Sequence, residues 1–185
     1  SEDASENLRR EGIPEERIHF VGNVMIDSLR LLEKKADCST ILDTLEISPG
    51  EYVLATVHRA SNVDDREILQ GILSALVRIQ SRIPVVWPIH PRTSKMVDQF
   101  SLREQVDGID GFKLIDPVGY LDVLHLQKHA KMVLTDSGGI QEETTALGVP
   151  CLTMRTNTER PVTVTRGTNT LVGLEPDCIV AAANE

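Results

Sequence analysis

The stretch Leu134-Thr135-Asp136-Ser137-Gly138-Gly139-Ile140-Gln141-Glu142-Glu143, closed by Leu147-Gly148-Val149-Pro150, carries the densest chemistry in the sequence. Met132, Val133 and Leu134 read as a buried strand, Ser137-Gly138-Gly139 as a tight turn, and Ile140 to Leu147 as a helix. A glycine-rich bend feeding a helix N-terminus is an anion site in outline. Free backbone N–H groups and the positive end of the helix dipole point outward, and glycines let a ligand approach the backbone. The same join also occurs where no ligand binds, so shape alone leaves both readings open.

Three further polar clusters follow apolar runs. His58, Arg59, Ser61 and Asn62 follow one run, His90, Pro91, Arg92 and Thr93 the next, and Arg155 to Arg160 the last. Arginine suits a diphosphate because its planar fork donates two parallel hydrogen bonds and keeps its charge. A histidine beside a phosphate can donate to it or move a proton. Each cluster also has a plain structural reading: Ser137 as a helix cap, Glu143 as an exposed helix charge, Glu159 as the neutraliser of a loop arginine, and His90 as the cap of a following helix.

The elements that must position these residues alternate along the chain. Ile18 to Val21 reads as a strand and Val24 to Lys35 as a helix, after an acidic N-terminal helix that breaks near Pro14. Tyr52 to Val57, Pro84 to Ile89, Phe112 to Ile115, Met132 to Thr135, Val149 to Met154 and Thr170 to Val172 read as strands. Asp64 to Ile79, Ser94 to Gln99, Tyr120 to His129 and Ile140 to Leu147 read as the helices between them. Strands without polar alternation, separated by helices, predict a doubly wound, Rossmann-like α/β fold with a parallel sheet. Right-handed crossovers then bring all four polar clusters to the carboxyl edge, where such sheets bind ligands near a switch in strand order.

Composition narrows the ligand. The 185 residues are 41% hydrophobic, enough for one sizeable core, and no linker or repeat marks an internal boundary. A net charge of −9 without a basic run argues against nucleic acid and membrane surfaces as partners, so an anionic ligand must be held by local groups. Three cysteines, Cys38, Cys151 and Cys178, without C-x-x-C spacing argue against a disulfide framework or thiolate zinc site and fit a reducing cytoplasm. The sequence starts at Ser1 without an initiator methionine, which suggests an excised or processed piece.

The strings VGNVMIDSL (Val21 to Leu29), TVHRASN (Thr56 to Asn62), PIHPRT (Pro88 to Thr93), TDSGGIQEE (Thr135 to Glu143), LGVP (Leu147 to Pro150), TERPVTV (Thr158 to Val164) and GTNTLVG (Gly167 to Gly173) occur in this order. Together they resemble the non-hydrolysing UDP-N-acetylglucosamine 2-epimerases, over roughly residues 7 to 173. The likeness is to the C-terminal half of that family. It implies that residues 1–185 form the C-terminal nucleotide-binding domain of a two-domain, glycosyltransferase-like enzyme whose N-terminal domain lies outside this chain. Such enzymes interconvert UDP-N-acetylglucosamine and UDP-N-acetylmannosamine by anti-elimination of UDP to a 2-acetamidoglucal and re-addition on the other face. The resemblance implies no metal and no cofactor, a UDP-sugar as partner, a homodimer for the full-length protein, and little turnover by this half alone.

Residue by residue, the resemblance assigns Ser137, Gly138 and Gly139 to the diphosphate, Glu143 to the ribose hydroxyls, and His58 to the catalytic neighbourhood of the diphosphate and sugar C2. Arg59 and Arg160 join the UDP-binding set, and Arg155 opens the R-x-x-T-E-R-P segment that contains Arg160. Tyr120, Leu121 and Val123 match the segment that cradles uracil, with valine where an aromatic commonly stacks. His90 matches a histidine that in some members holds a second, regulatory UDP-sugar. Ala60 and Ser61 depart from the family's usual HRRE-N run, and Val162 stands where many members have glutamate. A nucleotide-sugar-binding domain of a glycosyltransferase is the alternative; a retaining one would carry a glutamate eight residues before Glu143, where this sequence has Thr135. A non-catalytic nucleotide-binding module is the other alternative. The sugar stays open between N-acetylglucosamine and a diacetamido uronic acid.

Overall fold

In the computed structural model, which describes residues 2–185, the short apolar runs line up as one all-parallel sheet. The chain opens with helix α1 (Glu2–Arg10) and a 3-10 turn at Glu15–Arg17, then α2 (Val24–Ala36) and α3 (Ile41–Leu45). Strand β1 (Val53–Thr56) leads through α4 (Ala60–Val63) and α5 (Arg66–Gln80) to β2 (Val85–Pro88), and α6 (Pro91–Gln99) leads to β3 (Phe112–Ile115). There follow α7 (Tyr120–His129), β4 (Met132–Thr135), α8 (Gly138–Leu147), β5 (Cys151–Thr153), α9 (Pro161–Thr165), β6 (Asn169–Leu171) and α10 (Pro176–Ala183).

The six strands lie in the order β3-β2-β1-β4-β5-β6, the doubly wound order in which the chain returns to β1 and continues on its other side. Side chains alternate between two cores, as the period of a strand requires. Val53, Ala55, Val85, Trp87 and Leu134 pack with Leu69, Ile72, Leu73 and Leu76 of α5 and Ile179 of α10. Tyr52, Leu54, Val86 and Val133 pack on the other face with Leu126 of α7 and Leu42 of α3. Both faces are covered, which is why these strands show no polar alternation.

Two expectations need correction. Ile18 to Val21 forms no strand. Phe20 and Val21 are 65% and 76% exposed, because β1 already has both neighbours and this run reaches neither outer edge of the sheet. Ser137-Gly138-Gly139 is not a separate turn before a helix at Ile140. The helix starts two residues earlier, at Gly138, so the glycines are its first turn. Elsewhere caps set the boundaries: α5 begins at Arg66 rather than Asp64 because the Asp65 carboxylate accepts from the N–H groups of Glu67 and Ile68.

Candidate functional site

The switch in strand order falls between β1 and β4, where Thr56 and Thr135 end paired strands with their hydroxyls 2.6 Å apart. The next residue after β4 is Asp136, with no exposed surface. Its carboxylate accepts from the backbone N–H of His58 (3.0 Å) and of Arg59 (2.8 Å) and from Asn62 Nδ2 (3.2 Å). His58 Nδ1 lies 3.2 Å from the same carboxylate, and this hydrogen bond raises the imidazole pKa above its ordinary value, against partial burial and the charge of Arg59. Asn62 also donates to the Met154 carbonyl at 3.0 Å, so one buried aspartate and one buried asparagine tie together the turns after β1, β4 and β5. Two of these turns flank the crevice that the topology opens.

The first turn of α8 faces that crevice. Among the described residues, Ser137 occupies the cap position without a side-chain capping bond, and its own N–H donates to Thr135 Oγ1 at 3.0 Å. The Glu159 carboxylate lies across Gly138, 2.9 Å from where a Cβ on that glycine would stand. Arg59 donates to Glu159 Oε1 at 2.6 Å and Arg155 reaches Oε2 at 2.7 Å. Partial burial opposes ionisation of Glu159, but its own backbone N–H and the two arginines outweigh it and hold the carboxyl below its usual range. A carboxylate held by two guanidinium groups at a helix N-terminus marks a place that accepts anionic oxygen. Arg160 pairs instead with Glu142, Nε to Oε2 at 3.3 Å and off the line of a hydrogen bond, while Glu142 accepts from Asn23 Nδ2 at 3.0 Å.

Farther along α8, Glu143 is buried and held from two sides, by Tyr120 Oη at 3.0 Å and Gln127 Nε2 at 2.8 Å. The Tyr120 phenol is pushed up to about 12 by burial and by the charge and hydrogen bond of Glu143. Val123 lines an apolar recess of about 200 Å³ together with His58 and His90, whose rings lie 5.5 Å apart, and the lining does not include Tyr120. His90 has its Nδ1 committed to the Arg92 N–H at 3.1 Å, and Arg92 is paired with Asp64. His90 therefore caps α6.

The crevice thus brings together His58, Arg59, Ser137, Gly138, Gly139 and Arg155, with Glu143 one turn deeper and Tyr120 beside it. Arg160 sits to one side on Glu142, and Leu121 is exposed on α7. Sequence reasoning gave no role to Asp136, Asn62 or Gln127. It also missed the layer beneath the Arg155–Arg160 loop, where Gln141 Oε1 accepts from Thr158 (2.6 Å) and Asn169 (3.1 Å). Those roles depend on which strands are neighbours, which no local spacing shows. Among the described residues, the one group with metal-ligand spacing is Asp37, His125 and His129, outside the crevice. Its local signal was legible: two histidines four apart on a helix share a face. No described helix is long and apolar enough to cross a membrane.

The profile of the UDP-N-acetylglucosamine 2-epimerase family matches residues 1–185. Over 184 residues, 97% of the chain, the sequence is 47% identical to a UDP-N-acetylglucosamine 2-epimerase homolog of Methanococcus maripaludis, of which the match covers 50%. It is 42% identical to the UDP-2,3-diacetamido-2,3-dideoxy-D-glucuronate 2-epimerase of Pseudomonas aeruginosa, over 97% of this chain and 49% of that protein. The crystal structure of Methanocaldococcus jannaschii UDP-GlcNAc 2-epimerase in complex with UDP-GlcNAc and UDP superposes with a TM-score of 0.91 at 39% identity, over all of this chain and 52% of that one. The chain spans about half the length of the curated relatives it matches.

Proposed function

The chain belongs to the UDP-N-acetylglucosamine 2-epimerase family, and from that premise we propose that it is the UDP-binding, C-terminal half of an enzyme that interconverts UDP-N-acetylglucosamine and UDP-N-acetylmannosamine. The observation that carries this reading is the Glu159 carboxylate held by Arg59 and Arg155 over the first turn of α8. A nucleotide diphosphate offers the same chemistry with more charge. It would enter against the N–H groups of Gly138 and Gly139, with the Ser137 hydroxyl as a further donor, while Glu159 yields the two arginines to it.

Glu143 then meets the ribose. An ionised carboxylate accepts only, so it suits two hydroxyl donors, and Tyr120 and Gln127 hold it in place. Val123 covers the base without stacking on it. His58 serves the leaving group. Its bond to Asp136 favours the imidazolium, which can donate to the departing phosphate oxygen as the C1–O bond breaks. Removal of the C2 proton falls to groups outside this chain, on an N-terminal domain, so residues 1–185 alone bind nucleotide without turning it over. The full-length enzyme works in the cytoplasm as a homodimer, without metal or cofactor in the reaction, and its N-terminal domain selects between N-acetylglucosamine and a diacetamido uronic acid.

The test is isotopic. Full-length protein incubated with UDP-N-acetylglucosamine in deuterium oxide incorporates deuterium at C2 and releases UDP-N-acetylmannosamine, because this epimerisation breaks the C2–H bond. Retention of the hydrogen, with sugar transferred to an acceptor, would establish a glycosyltransferase instead.

A further inference from the structure

The C-terminal half of α7 carries a second constellation. His125 and His129 are four residues apart, one turn along the same helix face, and their rings lie 4.5 Å apart. Asp37, the residue that closes α2, faces them. One ring nitrogen of each histidine and one carboxylate oxygen of Asp37 all lie within 4.8 Å of one another. His125 is only 8% exposed, and its Nδ1, itself out of reach of solvent, has no hydrogen-bond partner among the described residues. A buried nitrogen without a partner calls for an explanation, and a coordinated cation is one.

We propose that Asp37, His125 and His129 bind a divalent transition-metal ion of the zinc class, joining α2 to α7. Two imidazoles and a carboxylate make a ligand set that zinc takes, and three protein ligands leave a fourth position to water. Ligand atoms around a tetrahedral zinc stand about 3.3 Å apart, so the set must tighten. Asp37 is exposed and His129 partly so, which lets both swing toward buried His125. Lys128 is the competing cation. Its Nζ lies 2.7 Å from Asp37 Oδ1 and 3.2 Å from Glu33 Oε1, so Glu33 keeps the lysine paired when the metal takes Asp37.

The site has a structural consequence rather than a catalytic one. Helix α2 docks on α7 through a small apolar cluster, Leu29 and Ala36 against Leu124, and a metal clip at its end would add to that attachment. At a rise of about 1.5 Å per residue, His125 and His129 stand roughly 7 and 13 Å along α7 from Tyr120 at the nucleotide end. Binding to the folded state alone raises thermal stability with metal concentration.

Chelator-treated protein titrated with zinc chloride, and in parallel with cobalt chloride followed by visible absorption, takes up one equivalent per chain at micromolar concentrations and melts higher with the metal. His129→Ala and Asp37→Asn, both at exposed or partly exposed positions, each weaken binding more than about tenfold. Cys38→Ser, beside Asp37, leaves it unchanged. UDP affinity is the same with and without zinc. Absence of saturable binding, binding that survives His129→Ala, or binding lost in Cys38→Ser would each overturn the proposal.

Discussion

Two helices begin at the same edge of the sheet, α6 after β2 and α8 after β4, and their first turns are built for opposite ends. In α6 the His90 ring caps the helix, Pro91 removes one N–H donor, and Arg92 is spent on Asp64. In α8 no side chain caps the first turn, two glycines open it, and the carboxylate lying across it comes from a loop twenty residues on, attended by two arginines. One N-terminus closes on itself. The other keeps its donors for a group brought from elsewhere. A start on the carboxyl edge therefore does not by itself leave a helix N-terminus open to an anion.

Asp136 holds the α8 side of the crevice to the turn after β1, and its loss has the largest expected effect. Asp136→Ala leaves the His58 and Arg59 N–H groups and Asn62 without their acceptor, and breaking a buried charged network of this kind costs about 3–5 kcal/mol. Denaturant unfolding measures it. A smaller, local effect separates the two helices directly. Gly138→Ala keeps the fold, because the added methyl crowds only the movable end of Glu159 and otherwise makes an ordinary contact with Arg160 Cγ at 4.0 Å, but it crowds the anion and lowers UDP affinity about tenfold, or about 1.4 kcal/mol. His90→Ala does the reverse: it costs about 1 kcal/mol of stability as a lost cap and leaves UDP affinity as it was. Equal effects of these two variants on affinity would erase the distinction.

The smallest effect is a pH dependence. The pKa of folded His58 is raised by Asp136, so its ion pair contributes fully below the ordinary value of 6.5 and is lost as pH rises through the raised value. UDP affinity should fall over that window, and His58→Asn should flatten the fall, both measured by calorimetry from pH 6 upward.

Much of this was legible locally. Phe112–Ile115, Tyr120–His129 and Met132–Thr135 have the bounds their patterns predict, since each apolar or amphipathic run is closed by turn residues. The doubly wound fold and the gathering of polar clusters at one edge follow from the alternation of such runs. Ile18 to Val21 misled because apolarity alone does not supply a strand with a partner, and Phe20 is left on the surface. The short helices α3, α4 and α9 span only one turn or slightly more, too little for periodicity to register. Within the crevice, Gly138 and Gly139 stood out by type and spacing, whereas Glu143 and His58 were singled out through the family resemblance. Asp136 did not, because between a strand and a glycine pair it reads as one more polar loop residue. Its importance comes from β1 lying beside β4, eighty residues apart in sequence, roughly, and adjacent only in space. Gln127 was hidden in the same way, on a helix whose partner is Glu143 of another.

In the proposed complex the first turns of α8 hold the nucleotide, diphosphate at Gly138 and ribose at Glu143. Calorimetric titration of the chain with UDP, beside its Glu143→Gln variant, tests it most directly. A single saturable site per chain, weakened about ten- to a hundredfold by loss of that one charge, is the predicted result, the size expected for hydrogen bonds to an ionised acceptor. Undiminished UDP binding in the variant, or no saturable binding by the parent chain, would contradict it.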